Sequence, residues 1–151
     1  MDVEPGKPRL PSMSTKLSVL NQGTIKMPIL EVEMVCDNTR PFEPEWAQRI
    51  ADLAGGVFET ARGQTWVKMR KLEHTGYAEN GVAASETPSP VFVHVMKKRM
   101  GDPEEIQDEV KKLSKGIAEI LGKPLENVHI IFDRDAVGRI AFGGEFVEGE
   151  E

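Results

Sequence analysis

The chain has 151 residues, 39% of them hydrophobic and 29% charged, with a formal net charge of −6. That mix suits one soluble globular domain with a real core, and the acidic balance argues against a nucleic-acid binder, which brings a surplus of Lys and Arg to the phosphates. A single cysteine, Cys36, excludes an intrachain disulfide and a cysteine-rich zinc site, and the sequence shows neither a signal-peptide start nor the roughly 18 apolar residues of a membrane span, so the expected address is the cytoplasm.

Residues 1–26 hold Pro5, Pro8 and Pro11 among Ser, Gly and Lys, with LSVL as their apolar patch, and read as a mobile extension with little to bury. The domain is expected over 27–151. MPILEVEMV alternates Leu30, Val32 and Met34 with Glu31 and Glu33, which predicts a strand over 28–35 with one buried face. After the turn-rich CDNTRPFEPE comes an amphipathic helix over about 44–61, then a second strand, TWVKMRKL. The loop EHTGYAENGVAASETPS follows, rich in Gly, Ser and Pro. The order then repeats with strand PVFVHVM, the entry GDPEE with Asp102 as cap and Pro103 in the first turn, a helix to Leu121, strand NVHIIF and the Gly-rich ending GRIAFGGEFV. The basic run Lys97, Lys98, Arg99 reads as the solvated end of a strand.

The repetition has a fixed period. Pro28 and Pro90, Gly76 and Gly138, and Gly81 and Gly143 are each 62 residues apart. The helices share an apolar spacing, Trp46, Ile50, Leu53, Val57, Ala61 against Ile106, Val110, Leu113, Ile117, Leu121, shifted by 60. Two βαβ units, about 28–89 and 90–151, therefore follow one another. Each must cross over right-handed, so the expected fold is α+β, a four-stranded sheet with two helices on one face. The other face, drawn from VFVHV and VHIIF, reads as too apolar for water and is expected to be buried against further copies.

A sixty-odd-residue unit that begins with Met-Pro, exits its helix as GKPLENVHIIF and ends as GRIAFGG resembles the tautomerase superfamily. Within it, the 4-oxalocrotonate tautomerase subunit has this size and layout, and the tandem pair is similar to the family's double-length members, dehalogenases and decarboxylases among them. The resemblance covers residues 27 to about 147 and is most specific in the second unit. It implies a homotrimer that imitates the hexamer of single-unit relatives, and cofactor-free proton transfer on a small 2-keto or enol carboxylic acid, with Pro28 as general base.

An internal proline nitrogen is an amide without a basic lone pair, whereas a terminal proline is a secondary amine. Apolar walls would lower the pKa of such an amine toward neutrality, where a general base works best. Two readings of Met27 therefore stand. Translation that starts at Met27 would expose Pro28 after removal of the methionine; a retained extension would leave Pro28 opening an edge strand. Pro90, the matching residue, is internal in either case and is structural.

The family's other site residues fall on unmatched positions: its arginine just past the first strand on Asn38 and Met100, with Arg40 and Arg99 nearby, its second-strand arginine on Val67 and His129, its hairpin aromatic on Ile140, with Phe142 on the same strand face. From the residues themselves, Lys68 and Arg70 share one strand face, and Arg139 lies in a Gly-flanked hairpin where backbone can approach a ligand. Candidate substrate-binding residues are thus Arg70, Arg139, Lys68, His129 and Phe142, around Pro28 as the catalytic residue; each cation also reads as a solvated side chain, and His129 as an interface histidine. His74, His94 and His129 lack helical i,i+4 pairing, so no metal site is expected. The alternatives are a lyase-type enzyme of the same superfamily, a dehalogenase or hydratase, and a non-catalytic oligomeric module in which the extension blocks Pro28.

Overall fold

The computed structural model describes residues 27–37 and 39–148. The extension over 1–26, the position of Asn38 and residues 149–151 lie outside the described residues. Strand β1, Ile29–Cys36, leads through helix α1, Trp46–Phe58, to the parallel strand β2, Trp66–Glu73. Strand β3, Val91–Met96, leads in the same way through α2, Pro103–Leu121, to the parallel strand β4, Val128–Phe132. β1 and β3 lie antiparallel at the centre, giving the order β2-β1-β3-β4. A short hairpin follows, β5 (Ala141–Phe142) with β6 (Glu145–Phe146).

The sequence period governs the register. Ile29 faces Trp66 in the first unit, and adding 62 to both numbers gives the Val91–Val128 pair of the second. The central pairing maps onto itself when the units are exchanged, Ile29–Met96 becoming Met34–Val91. The two units are therefore related by a twofold rotation, which sends Pro28 and Pro90 to opposite ends of the central strand pair.

The helices differ at their ends, and the sequence says why. α2 starts in a capping box, where the Asp102 carboxylate accepts the Glu105 N–H at 2.9 Å and Glu105 accepts the Asp102 N–H at 3.2 Å. Pro103 opens it, and Gly122 closes it at φ +67, where a side chain would be strained. α1 has no side-chain cap and ends on Glu59 in the left-handed conformation, a cost of about 1–2 kcal/mol for a residue with a Cβ. It is 13 residues long, against 19 for α2.

Leu30, Val32, Met34, Val91, Val93 and Val95 pack from the sheet against Ile50, Ala54 and Phe58 of α1 and Leu113, Ile117 and Leu121 of α2. Each large side chain so buried contributes roughly 1.5–3 kcal/mol. The α1 stripe is rotated from the expected one. Trp46 and Ile50 are buried as expected, but the stripe continues through Ala54 and Phe58, while Leu53 turns toward α2 at Gly116 and Ala61 lies exposed beyond the helix end.

The second sheet face is not the apolar surface that the sequence suggested. Strand parity sends Val91, Val93, Val95, Val128 and Ile130 toward the helices, which leaves Glu31, Glu33, Lys68, Arg70 and His94 on the open side. There Lys68 reaches Glu31 at 3.0 Å, and Arg70 lies 3.7 Å from Glu31 and 3.6 Å from Glu33. The apolar part is narrower: Trp66 at the head of β2, 49% exposed, and a patch on β3 and β4. Phe92 sits 5.3 Å from the His129 ring and 6.0 Å from Tyr77, beside the exposed Ile131. Among the described residues, no helix is long and apolar enough to cross a membrane.

Candidate active site

Pro28 stands at the head of β1 and is buried. Its carbonyl accepts the Trp66 N–H at 3.1 Å, which ties it to β2. On its other side, one step beyond the Ile29–Met96 pair, the antiparallel register brings Lys97 alongside. The hairpin segment closes over this end: Ala136 donates its N–H to the Lys97 carbonyl at 2.9 Å, and Val147 donates to the Ile140 carbonyl at 2.9 Å. Ala136 is fully buried and forms an apolar cluster with Met27, against which Met96, Ile140, Phe142 and Val147 pack. Phe142 meets Trp66 edge-on at 5.0 Å between ring centroids.

Met27 itself has φ +33, a conformation that L side chains rarely adopt, yet its side chain is 8% exposed. The strain, on the order of 1–3 kcal/mol, is of the size that burying one methionine can offset. In the intact chain the Met27–Pro28 bond leaves Pro28 nitrogen an amide without basicity. Cleavage of that bond would place a secondary amine against apolar walls.

Lys97 corrects the reading of the basic run as a solvated end. Its Nζ lies 3.1 Å and 3.0 Å from the two carboxylate oxygens of Glu109 and 5.1 Å from the centroid of the Phe58 ring, with the side chain buried. The period of 2 that buries Val91, Val93 and Val95 reaches 97 as well, so the signal was present in the sequence.

The residues expected around Pro28 are not gathered there within one chain. Phe142 packs against the cluster of Ala136 and Met27, the residue that precedes Pro28. Lys68 pairs with Glu31, three residues along β1, about 10 Å at the strand rise. Arg70 pairs with Glu33, about 16 Å along the strand from Pro28. His129 faces Phe92, which in turn faces Glu33, so it lies toward the opposite end of the sheet. Arg139 is in the covering segment, but its guanidinium donates to the Arg134 and Asp135 carbonyls at 3.1 Å and 2.9 Å.

The twofold-related end, at Pro90, is built from different chemistry. Pro90 carbonyl accepts the Val35 N–H at 2.9 Å, and the half-buried Lys123 donates to the carbonyls of Val35 and Ser89 at 3.0 Å and 2.8 Å. Burial, and then the nearby Arg40 charge, hold the Lys123 amine below the usual lysine range. Arg40 donates to the Leu121 carbonyl at 2.9 Å and lies 5.0 Å from the Trp46 ring centroid. These cations fasten backbone carbonyls where the Pro28 end has apolar walls. A shallow groove of about 880 Å³ runs elsewhere, along α1 and the β2 edge past Ala51, Gly55, Thr60 and Trp66; its lining offers no convergent catalytic groups, and Pro28 is not part of it. Among the described residues, no three His, Cys, Asp or Glu side chains are placed to hold a metal ion.

No family model matches the chain, and no curated protein matches it. Solved structures do. A symmetric trimer of wild-type fused 4-OT aligns with a TM-score of 0.65 at 10% identity, covering 79% of this chain and 94% of that one. FG41 malonate semialdehyde decarboxylase inhibited by 3-bromopropiolate aligns with a TM-score of 0.57 at 18% identity, over 76% and 88% of the two chains. Macrophage migration inhibitory factor from Oncomelania hupensis aligns with a TM-score of 0.62 at 14% identity, over 81% and 83%. The chain shares the fold of these solved structures, with two βαβ units following one another in one chain.

Proposed function

We propose that the chain, with Pro28 as its amino terminus, is a tautomerase acting on a small 2-keto or enol carboxylic acid. The observation that carries this reading is the burial of Pro28 at the head of the central strand, next in the chain to Met27, whose apolar cluster with Ala136 is walled by Ile140, Phe142 and Val147. A terminal amine there would lose hydration in its charged form, so its pKa would fall toward the range of a general base. It would take a proton from the carbon next to the keto group and return it to the conjugate position. That chemistry asks for no cofactor.

The substrate carboxylate needs a cation, and Lys68, Arg70, Arg139 and His129 are the candidates. Within one chain Lys68 is the nearer strand cation and His129 is remote, so a homotrimer, as in the fused 4-OT structures, is the assembly that would let one protomer supply cations to another. Its contact surface would include the Phe92, His129 and Ile131 patch on the open sheet face.

The first test is the intact mass of the protein purified from its native cells. A mass for residues 28–151, followed by deuterium exchange at C3 of a 2-keto acid, is the expected result. A mass that retains residues 1–26 would remove the amine and turn the reading to a non-catalytic oligomeric module. The buried Met27 favours that second reading for any chain in which the methionine is retained.

A further inference from the structure

We propose that the Met27 side chain is an internal plug at Pro28, and that the slot it vacates accepts the unbranched apolar tail of the substrate. This deepens, and rests on, the tautomerase reading. Met27 is the residue whose backbone is strained and whose side chain is nonetheless buried, at φ +33 and 8% exposure. Its side chain is the unbranched Cβ–Cγ–Sδ–Cε chain, and it clusters with Ala136, the pair being walled by Met96, Ile140, Phe142 and Val147. The side chains packed around Met27 and Ala136 are apolar, so the slot suits an apolar occupant.

Position fixes what the occupant is attached to. Only one carbonyl carbon separates Met27 Cα from the Pro28 nitrogen, so the slot opens at the atom that would move the proton. A ligand whose reacting carbon meets a free Pro28 amine can lay the substituent of that carbon where the Met27 side chain had been. The substrate class is then a 2-keto or enol acid with a straight apolar tail of about methionine length at the exchanging carbon, not a compact or branched one. In the unprocessed chain the same contacts keep the slot filled, which couples removal of Met27 to both events: the amine appears and the pocket empties.

The test begins with the full-length chain and its Met27→Ala variant, titrated with straight-chain alkanoates from acetate to octanoate. The readout is the Trp66 indole N–H signal, since Trp66 touches Phe142 in the slot wall. Met27→Ala is expected to bind with affinity rising roughly fourfold per methylene to about hexanoate and then levelling, while the wild type shows no saturable shift. Ala136→Leu added to Met27→Ala is expected to refill the slot and abolish binding. Equal binding by wild type and Met27→Ala, or none by either, overturns the plug. A chain beginning at Pro28, which loses only Met27 from the core described above, is then assayed for C3 proton exchange of straight-chain 2-keto acids. A kcat/KM that climbs with tail length supports the proposal, and one indifferent to tail length overturns it. No exchange with any acid, while Met27→Ala binds alkanoates as expected, would sink the tautomerase reading and leave the plug standing.

Discussion

The ammonium of Lys97 lies 3.0 Å from Glu109 Oε2 and 3.1 Å from Oε1, and the two side chains are 7% and 15% exposed. The pair fastens α2 to the strand end that flanks Pro28. Two charges this far from water are stable only together, because each alone carries a desolvation cost of several kcal/mol. Glu109→Ala is therefore expected to lower stability by about 3–5 kcal/mol in urea unfolding, whereas Lys97→Met with Glu109→Leu should recover most of it. A Glu109→Ala loss below about 1 kcal/mol would assign the pair to the solvent-screened class and sink this account.

Lys97 also shows where the sequence could be read further. The βαβ repeat, the register and the Asp102 cap were legible because spacing and capping chemistry are local, and a period of 62 fixes which strands must be equivalent. The burial of Lys97 was masked by the neighbouring Lys98 and Arg99, though parity pointed inward. The open sheet face differs from expectation for the opposite reason: the apolar content of VFVHV and VHIIF is shared between two parities, and the valines face the helices. The site was least legible. Which cations approach Pro28 depends on packing across strands and between copies, and no spacing in one chain encodes that.

On the open face, Glu31 is held below the usual carboxylate range, first by its hydrogen bond from Lys68; burial, the next cause, opposes this, and the charges of Lys68, Arg70 and His94 each add a smaller downward effect. A carboxylate with a depressed folded pKa contributes stability that is present above its unfolded pKa and is lost as pH falls through the folded value. Lys68→Met should move the Glu31 side-chain titration, followed by carbon NMR, upward toward the ordinary glutamate range. An unmoved midpoint would mean that the Lys68 contact is not populated in solution. Because Glu31 is well exposed, the effect belongs to titration rather than to a large change in unfolding free energy.

At the Pro90 end the sign is reversed. Lys123 has a lowered pKa, so the folded chain binds that proton less tightly than the unfolded chain, and the unfavourable contribution disappears as pH rises through the folded value toward the unfolded one. Burial is the leading cause and the Arg40 charge the next. Arg40→Gln is accordingly expected to raise the Lys123 midpoint only part of the way in an alkaline NMR titration of the side-chain methylene. Complete restoration would make charge the leading cause; no movement would place Arg40 too far away to act.

The apolar cover over Pro28 makes a prediction about the amine itself. In a chain that begins at Pro28, the acid limb of the kcat/KM profile reports the pKa of the free enzyme's base. An exposed α-amino group titrates near 8, and the walls formed by Met96, Ala136, Ile140, Phe142 and Val147 offer the ammonium form no compensating charge. The limb should therefore fall below that value, because desolvation disfavours the protonated amine. Phe142→Gln, which sets a polar group and its water against the amine, should move the limb upward, and Phe142→Leu should leave it in place while changing tail-length preference. A limb that stays fixed in Phe142→Gln would mean that the hairpin does not desolvate Pro28 in solution. The lowered pKa would then need another cause, and Lys97, one register step from Pro28 and charged within its pair with Glu109, is the cation placed to disfavour a second positive charge there.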